Sequence, residues 1–151
     1  MDDVKAFLES QKLLVLSTVD EQGNPWTCNV YYSVDNKLNI FFVSPVSTKH
    51  IQHIKHNQRV SFSVPWFNPD DLTDRKAIQG AGVCEQVTSP KTIISLIKNH
   101  SKYYPLWKEV LTYENIKSST IESRPFIIKP DYLKYWDDKL YGSEGTKEFK
   151  L

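Results

Sequence analysis

Residues 26–34 read WTCNVYYSV, and successive side chains of a strand point to opposite faces. Trp26, Cys28, Val30, Tyr32 and Val34 share one face, while Thr27, Asn29, Tyr31 and Ser33 share the other. An apolar face backed by a polar but uncharged one requires a half-buried antiparallel strand. The neighbouring runs extend this pattern. LLVLSTV (13–19) stops at the turn formers DEQGNP, DNK connects to a strand over 38–44, and RVSFSVPW supplies another from Arg59.

KAIQGAGVCEQVT (76–88) reads as a further strand whose Gly80 and Gly82 mark a bulge or a close backbone approach, as a barrel corner needs. FIIK and YLKYWDD predict two short strands bent at Pro130-Asp131. Helices are few. Val4, Phe7 and Leu8 take helical spacing near the start, residues 47–56 form a second helix, and Ser89-Pro90 opens a third. Residues 1–151 are expected to form one domain, mainly β: a small antiparallel six-stranded barrel with helices at its ends.

The net charge is +1 with both signs scattered, so no basic field exists to hold nucleic acid or an anionic membrane. Neither is an expected partner. HSKYYPLWKEV interleaves aromatics with lysines as single-strand binders do, but near-neutral charge favours an amphipathic helix there. Cys28 and Cys84 lie on strands without a CxxC neighbour, which reads as two buried thiols in a reducing compartment. The acidic N-terminus lacks a basic leader region and no apolar run is long enough to span a bilayer, so a cytoplasmic location is expected.

Two chemistries compete in FFVSPVSTKHIQHIKHN, residues 41–57. On a helix His50, His53 and His56 step by roughly 60° and fan across a face, unlike the stacked ligands of HExxH. With no carboxylate on the same helix they predict no metal site and read as partly solvated. Ser47 as N-cap, followed by Thr48 and Lys49 in a first turn with free N–H groups, offers an anion cradle instead. No Walker loop or dinucleotide fingerprint is present, and no nucleophile elbow.

Gly23-Asn24-Pro25, Asp35-Asn36-Lys37-Leu38, Phe41-Phe42-Val43-Ser44, Ser47-Thr48-Lys49 and Asn57-Gln58-Arg59-Val60-Ser61 occur in that order. Together they resemble the FMN-binding split-barrel superfamily, the pyridoxamine 5'-phosphate oxidase-like group, over about residues 10–88, with FIIKPDYLKYWDD similar to its closing strand. The resemblance implies a Greek-key split β-barrel and FMN as cofactor. It implies that Ser47, Thr48 and Lys49 hold the FMN phosphate and that Phe42, Val43 and Ser44 line the approach. The strand carrying Thr27, Cys28, Asn29, Val30 and Tyr32 would run beneath the flavin ring.

Family members are homodimers with sites at the interface, so Trp136 would reach the flavin of the other subunit. A side chain near Gly82 also contributes in the family, and both Lys76 and Gln79 stay open for that role. The oxidase proper has arginine where Thr48 stands and basic residues at the Thr27 and Tyr32 positions, which weakens the case for a vitamin B6 substrate. Thr48-Lys49-His50 resembles instead the T-[KR]-H of small bacterial members. The expected function is a homodimeric FMN-dependent oxidoreductase acting on a small molecule. The alternative is a non-catalytic split barrel that binds haem, a deazaflavin or another planar ligand.

Overall fold

Seven antiparallel strands form one continuous sheet in the computed structural model, which describes residues 1–151. They are β1 (Leu13–Val19), β2 (Pro25–Val34), β3 (Ile40–Pro45), β4 (Arg59–Trp66), β5 (Lys76–Gln86), β6 (Ser123–Asp137) and β7 (Thr146–Lys150). The order β3-β2-β1-β4-β5-β6 closes on itself because β3 also pairs with β6, from Ile40↔Ile128 to Pro45↔Ser123. The first six strands therefore make a closed barrel. β7 adds to the free half of β6, with Leu133 opposite Phe149.

The lumen is filled by the inward halves of the alternating strands, among them Leu14, Leu16, Val30, Ile40, Ile78 and Ile128. α1 (Asp2–Ser10) plugs one opening with Val4, Phe7 and Leu8, and α2 (Lys49–His56) adds Ile51 and Ile54 to the same core. A second cluster lies outside the barrel. There α3 (Pro90–Tyr103) and α4 (Tyr113–Lys117) bury Ile93, Leu96 and Ile116 against Phe41 and Ile127, which project from the outer face of β3 and β6. No helix is long and apolar enough to cross a membrane.

Tyr32 is fully buried and its hydroxyl donates to the Leu8 carbonyl at 2.6 Å. That carbonyl belongs to the last turn of α1, where intrahelical donors run out. Tyr32→Phe should leave it unpaired and cost about 1–2 kcal/mol. Urea unfolding reads this directly, and an unchanged midpoint would mean that the hydroxyl does not hold the helix in place.

Several expectations are corrected by packing. FIIK and YLKYWDD are not two strands: β6 runs unbroken through Pro130, and the irregularity sits in its register with β5, between Ala81 and Gly82. Gly82 makes this continuity possible, because a Cβ there would meet the Lys129 carbonyl oxygen at 2.3 Å. β7 was not expected, since TKEFK is short and mostly exposed. Trp26 belongs by parity to the inward face yet is 41% exposed, lying at the mouth of the barrel.

Candidate functional site

α2 starts one residue later than its hydroxyls suggest. The N-cap is Thr48, and its Oγ1 donates to the Pro45 carbonyl at 2.8 Å. Ser47 is not the cap; its Oγ donates to the Glu122 carboxylate at 2.5 Å. The first turn thus has no side-chain acceptor, whereas Ser89, Thr112 and Asp137 cap α3, α4 and the short α5 (Asp138–Tyr141). Its first-turn N–H groups, the positive end of the helix dipole, therefore have no side-chain partner beside Lys49. Lys49 is exposed, with its ammonium 4.2 Å from the centre of the Trp26 ring.

The histidines of α2 separate. His50 and His53 are buried, contrary to the partly solvated reading, because α2 lies over the barrel mouth and sinks a wide arc of its surface. His53 Nδ1 meets the buried Thr18 hydroxyl at 3.1 Å, and His50 Nε2 meets Ser44 Oγ at 2.7 Å. Burial lowers the pKa of His50. His56 stays exposed and lies 2.6 Å from Glu21.

Beside this helix start lies a cavity of about 290 Å³ on the outer side of β2 and β3. Asn29, Val30, Tyr31, Val43 and Ser44 form its floor, and His50 closes one end. The opposite wall is His100, Tyr104 and Trp107, delivered by the end of α3 and the 3-10 turn that follows. No acid, lysine or arginine lines it. His100 is buried, its Nδ1 lies 3.0 Å from Ser33 Oγ, and its ring packs edge-on to Phe41. Burial pushes its pKa down to about 4, so the imidazole is neutral at physiological pH.

Among the residues singled out in the sequence, Asn29, Val30, Val43 and Ser44 meet in this cavity, and Ser47, Thr48 and Lys49 lie beside it at the start of α2. Thr27 is exposed on the same outer face, its hydroxyl 3.2 Å from that of Ser17. Cys28 points inward, half-buried, and burial pushes its thiol up to about 11. Tyr32 and Phe42 also face the lumen, Phe42 stacked on Phe126, so neither side chain reaches a ligand outside, and the Tyr32 amide and carbonyl are already taken by the Tyr104 hydroxyl.

Lys76, Gln79 and Trp136 do not join this group within one chain. Lys76 lies between Asp74 and Asp137, at 3.8 and 3.7 Å, while Gln79 projects exposed from the outer face of β5. Trp136 Nε1 donates to Asp138, and Arg75 stacks over its ring.

His100, Tyr104 and Trp107 belong to HSKYYPLWKEV, whose sequence predicts an amphipathic helix and no place in this site. His100 continues the spacing of Ile93, Leu96 and Ile97 on α3, so its burial was readable from periodicity. Tyr104 was not readable: its hydroxyl accepts from the Tyr32 amide and donates to the Tyr32 carbonyl, 72 residues away.

Residues 1–136 match the sequence family described as pyridoxamine 5'-phosphate oxidase. A pyridoxine/pyridoxamine 5'-phosphate oxidase of Vibrio cholerae is 23% identical over 134 residues, which is 87% of this chain and 57% of that protein. The chain therefore spans little more than half of that relative. Among solved structures, a conserved hypothetical protein of Mycobacterium tuberculosis superposes with a TM-score of 0.73 at 17% identity, covering 90% of this chain and 83% of that one. HutZ, the haem storage protein from Vibrio cholerae, superposes with a TM-score of 0.70 at 20% identity, covering 85% and 88%.

Proposed function

The chain belongs to the pyridoxamine 5'-phosphate oxidase family, and from that premise we propose that it is an FMN-binding flavoprotein, an oxidoreductase for a small molecule, working as a homodimer in the cytoplasm. The observation that carries this reading is the α2 start, which has no side-chain cap and presents Ser47 and Lys49 next to a cavity without charged residues.

The donor set fits a phosphate monoester: one ammonium, hydroxyls and the N-terminus of a helix. Ser47, Lys49 and the first-turn amides would hold the phosphate. The adjoining cavity would take part of the planar ring against Val43, with Asn29 and Ser44 offering hydrogen bonds and Trp107 covering it. Bound FMN would supply the redox chemistry. The protein's part is to anchor, orient and exclude water, with His50 and His100 as neutral neighbours. The uncharged lining favours an uncharged substrate over a second phosphate ester, as does Thr48 in place of an arginine.

A second copy of the chain would cover the outer face of β2, β1, β4 and β5, where Thr27, Asn29, Ser17, Ser61 and Gln79 carry no charge. Trp136 would then approach the partner's site, and light scattering reads the mass. The free thiols Cys28 and Cys84 accord with a reducing cytoplasm.

The purified protein should show flavin absorption or acquire it on addition of FMN; no spectrum and no binding would end the proposal. Lys49→Ala should weaken FMN about tenfold or more, the loss of one charge-assisted contact. Lys55→Ala, an exposed lysine of the same helix, is the control. Equal affinities for both variants would mean that the phosphate is held elsewhere.

A second reading has one observation in its favour. His100 is held through Nδ1 and its Nε2 has no hydrogen-bond partner in the fold, while the ring lines the cavity. A neutral imidazole so placed suits the iron of a haem. A Soret band in place of flavin absorption would support this reading.

A further inference from the structure

Glu122 lies in the turn that leads from α4 into β6, far in sequence from α2. Ser119 holds a left-handed conformation in that turn, at φ 58°. Arg124 straps the turn together by donating to the carbonyls of Ile121 and Ser123 and to the Ser119 hydroxyl, at 2.8, 2.9 and 2.7 Å. This fixes where Glu122 emerges. Its carboxylate takes the Ser47 hydroxyl at 2.5 Å and has no lysine, arginine or histidine within ion-pair distance. A negative group thus sits on a donor at the start of an uncapped helix, which is the chemistry of the anion that the cradle would bind.

Resting on the FMN reading above, we propose that Glu122 is a specificity-determining residue of the cradle, an acid that holds the Ser47 hydroxyl and must yield it to the ligand's phosphate. With one lysine at the helix start and one acid opposite it, the cradle has almost no net charge. A bare anion gains little by displacing Glu122. A ligand whose planar ring also fills the adjoining cavity gains enough to do so, so the pair admits FMN and rejects free phosphate.

The test is equilibrium binding of FMN, riboflavin and inorganic phosphate to the parent, Glu122→Gln and Glu122→Ala at one salt concentration. Glu122 is exposed, so neither variant removes core packing, and matching circular dichroism spectra check this. Both variants should bind FMN about fivefold to tenfold more tightly and gain measurable affinity for phosphate, because a nearby like charge is gone. Riboflavin, which lacks the phosphate, should bind all three proteins equally. FMN affinities within twofold of the parent, or weaker, would overturn the role of Glu122 while leaving the parent's FMN binding in place. If the parent binds neither flavin, the FMN reading fails and this assignment falls with it.

Discussion

Gly82→Ala is expected to destabilise the barrel by about 3 kcal/mol or more, the upper range of overpacking costs. The Cβ would lie 2.3 Å from the Lys129 carbonyl oxygen and 2.8 Å from the Pro130 Cα. Both are backbone atoms of β6, so no rotamer change relieves the contact. The two strands would have to part where their register already shifts, and β5–β6 is one of the pairings that close the barrel. In a chain of this size the loss corresponds to a fall in Tm of roughly 10 °C. Gly80→Ala is the informative comparison. The atoms nearest its Cβ would be in the Phe62 and Leu133 side chains, which can repack, so a smaller loss is expected. Thermal unfolding of the two variants decides; Gly82→Ala as stable as the parent would show that the close approach does not constrain the fold.

The second large effect is acid destabilisation through His100. Its pKa is pushed down to about 4 in the folded protein by burial, against an ordinary value near 6.5. Between those values the unfolded chain binds a proton that the native state refuses, so stability rises with pH across the window and is lost as pH falls from about 6.5 to about 4. The full loss is on the order of 3 kcal/mol. His50, also lowered by burial, acts in the same direction. The paired carboxylates Asp74, Asp131 and Asp138, all lowered, contribute mainly below this window. Urea unfolding at several pH values should show the decline, and His100→Gln, which cannot be protonated, should flatten it. A slope unchanged in that variant would place the titrating group elsewhere.

Much of the barrel was legible because alternation is a local property. Leu13–Val19 and Arg59–Trp66 were bounded to the residue, since turn formers and apolar runs sit next to each other along the chain. Gly80 and Gly82 announced the close approach of two strands. β7 carried no comparable signal. Its one inward residue, Phe149, becomes meaningful only opposite Leu133.

The site divides along the same line. Ser47, Thr48 and Lys49 stood out because a helix start is written in consecutive residues. Their actual roles were decided by distant partners: Thr48 caps with its backbone while its hydroxyl turns to Pro45, and Ser47 is taken by Glu122, 75 residues away. His50 and His53 read as surface residues because their hydroxyl partners, Ser44 and Thr18, come from strands that only the closed barrel brings beneath the helix.

By itself, then, the sequence determined the first five strands, most of their inward faces and, to within one residue, the start of α2, all consequences of periodicity and steric preference over a few residues. The tertiary structure alone decided that β3 meets β6, that His100 and Trp107 wall a cavity over β2, and that Glu122 takes the Ser47 hydroxyl at the start of α2. Those facts depend on pairings between residues far apart in the chain, whose loop-closure entropy is offset only when the whole apolar core is buried together.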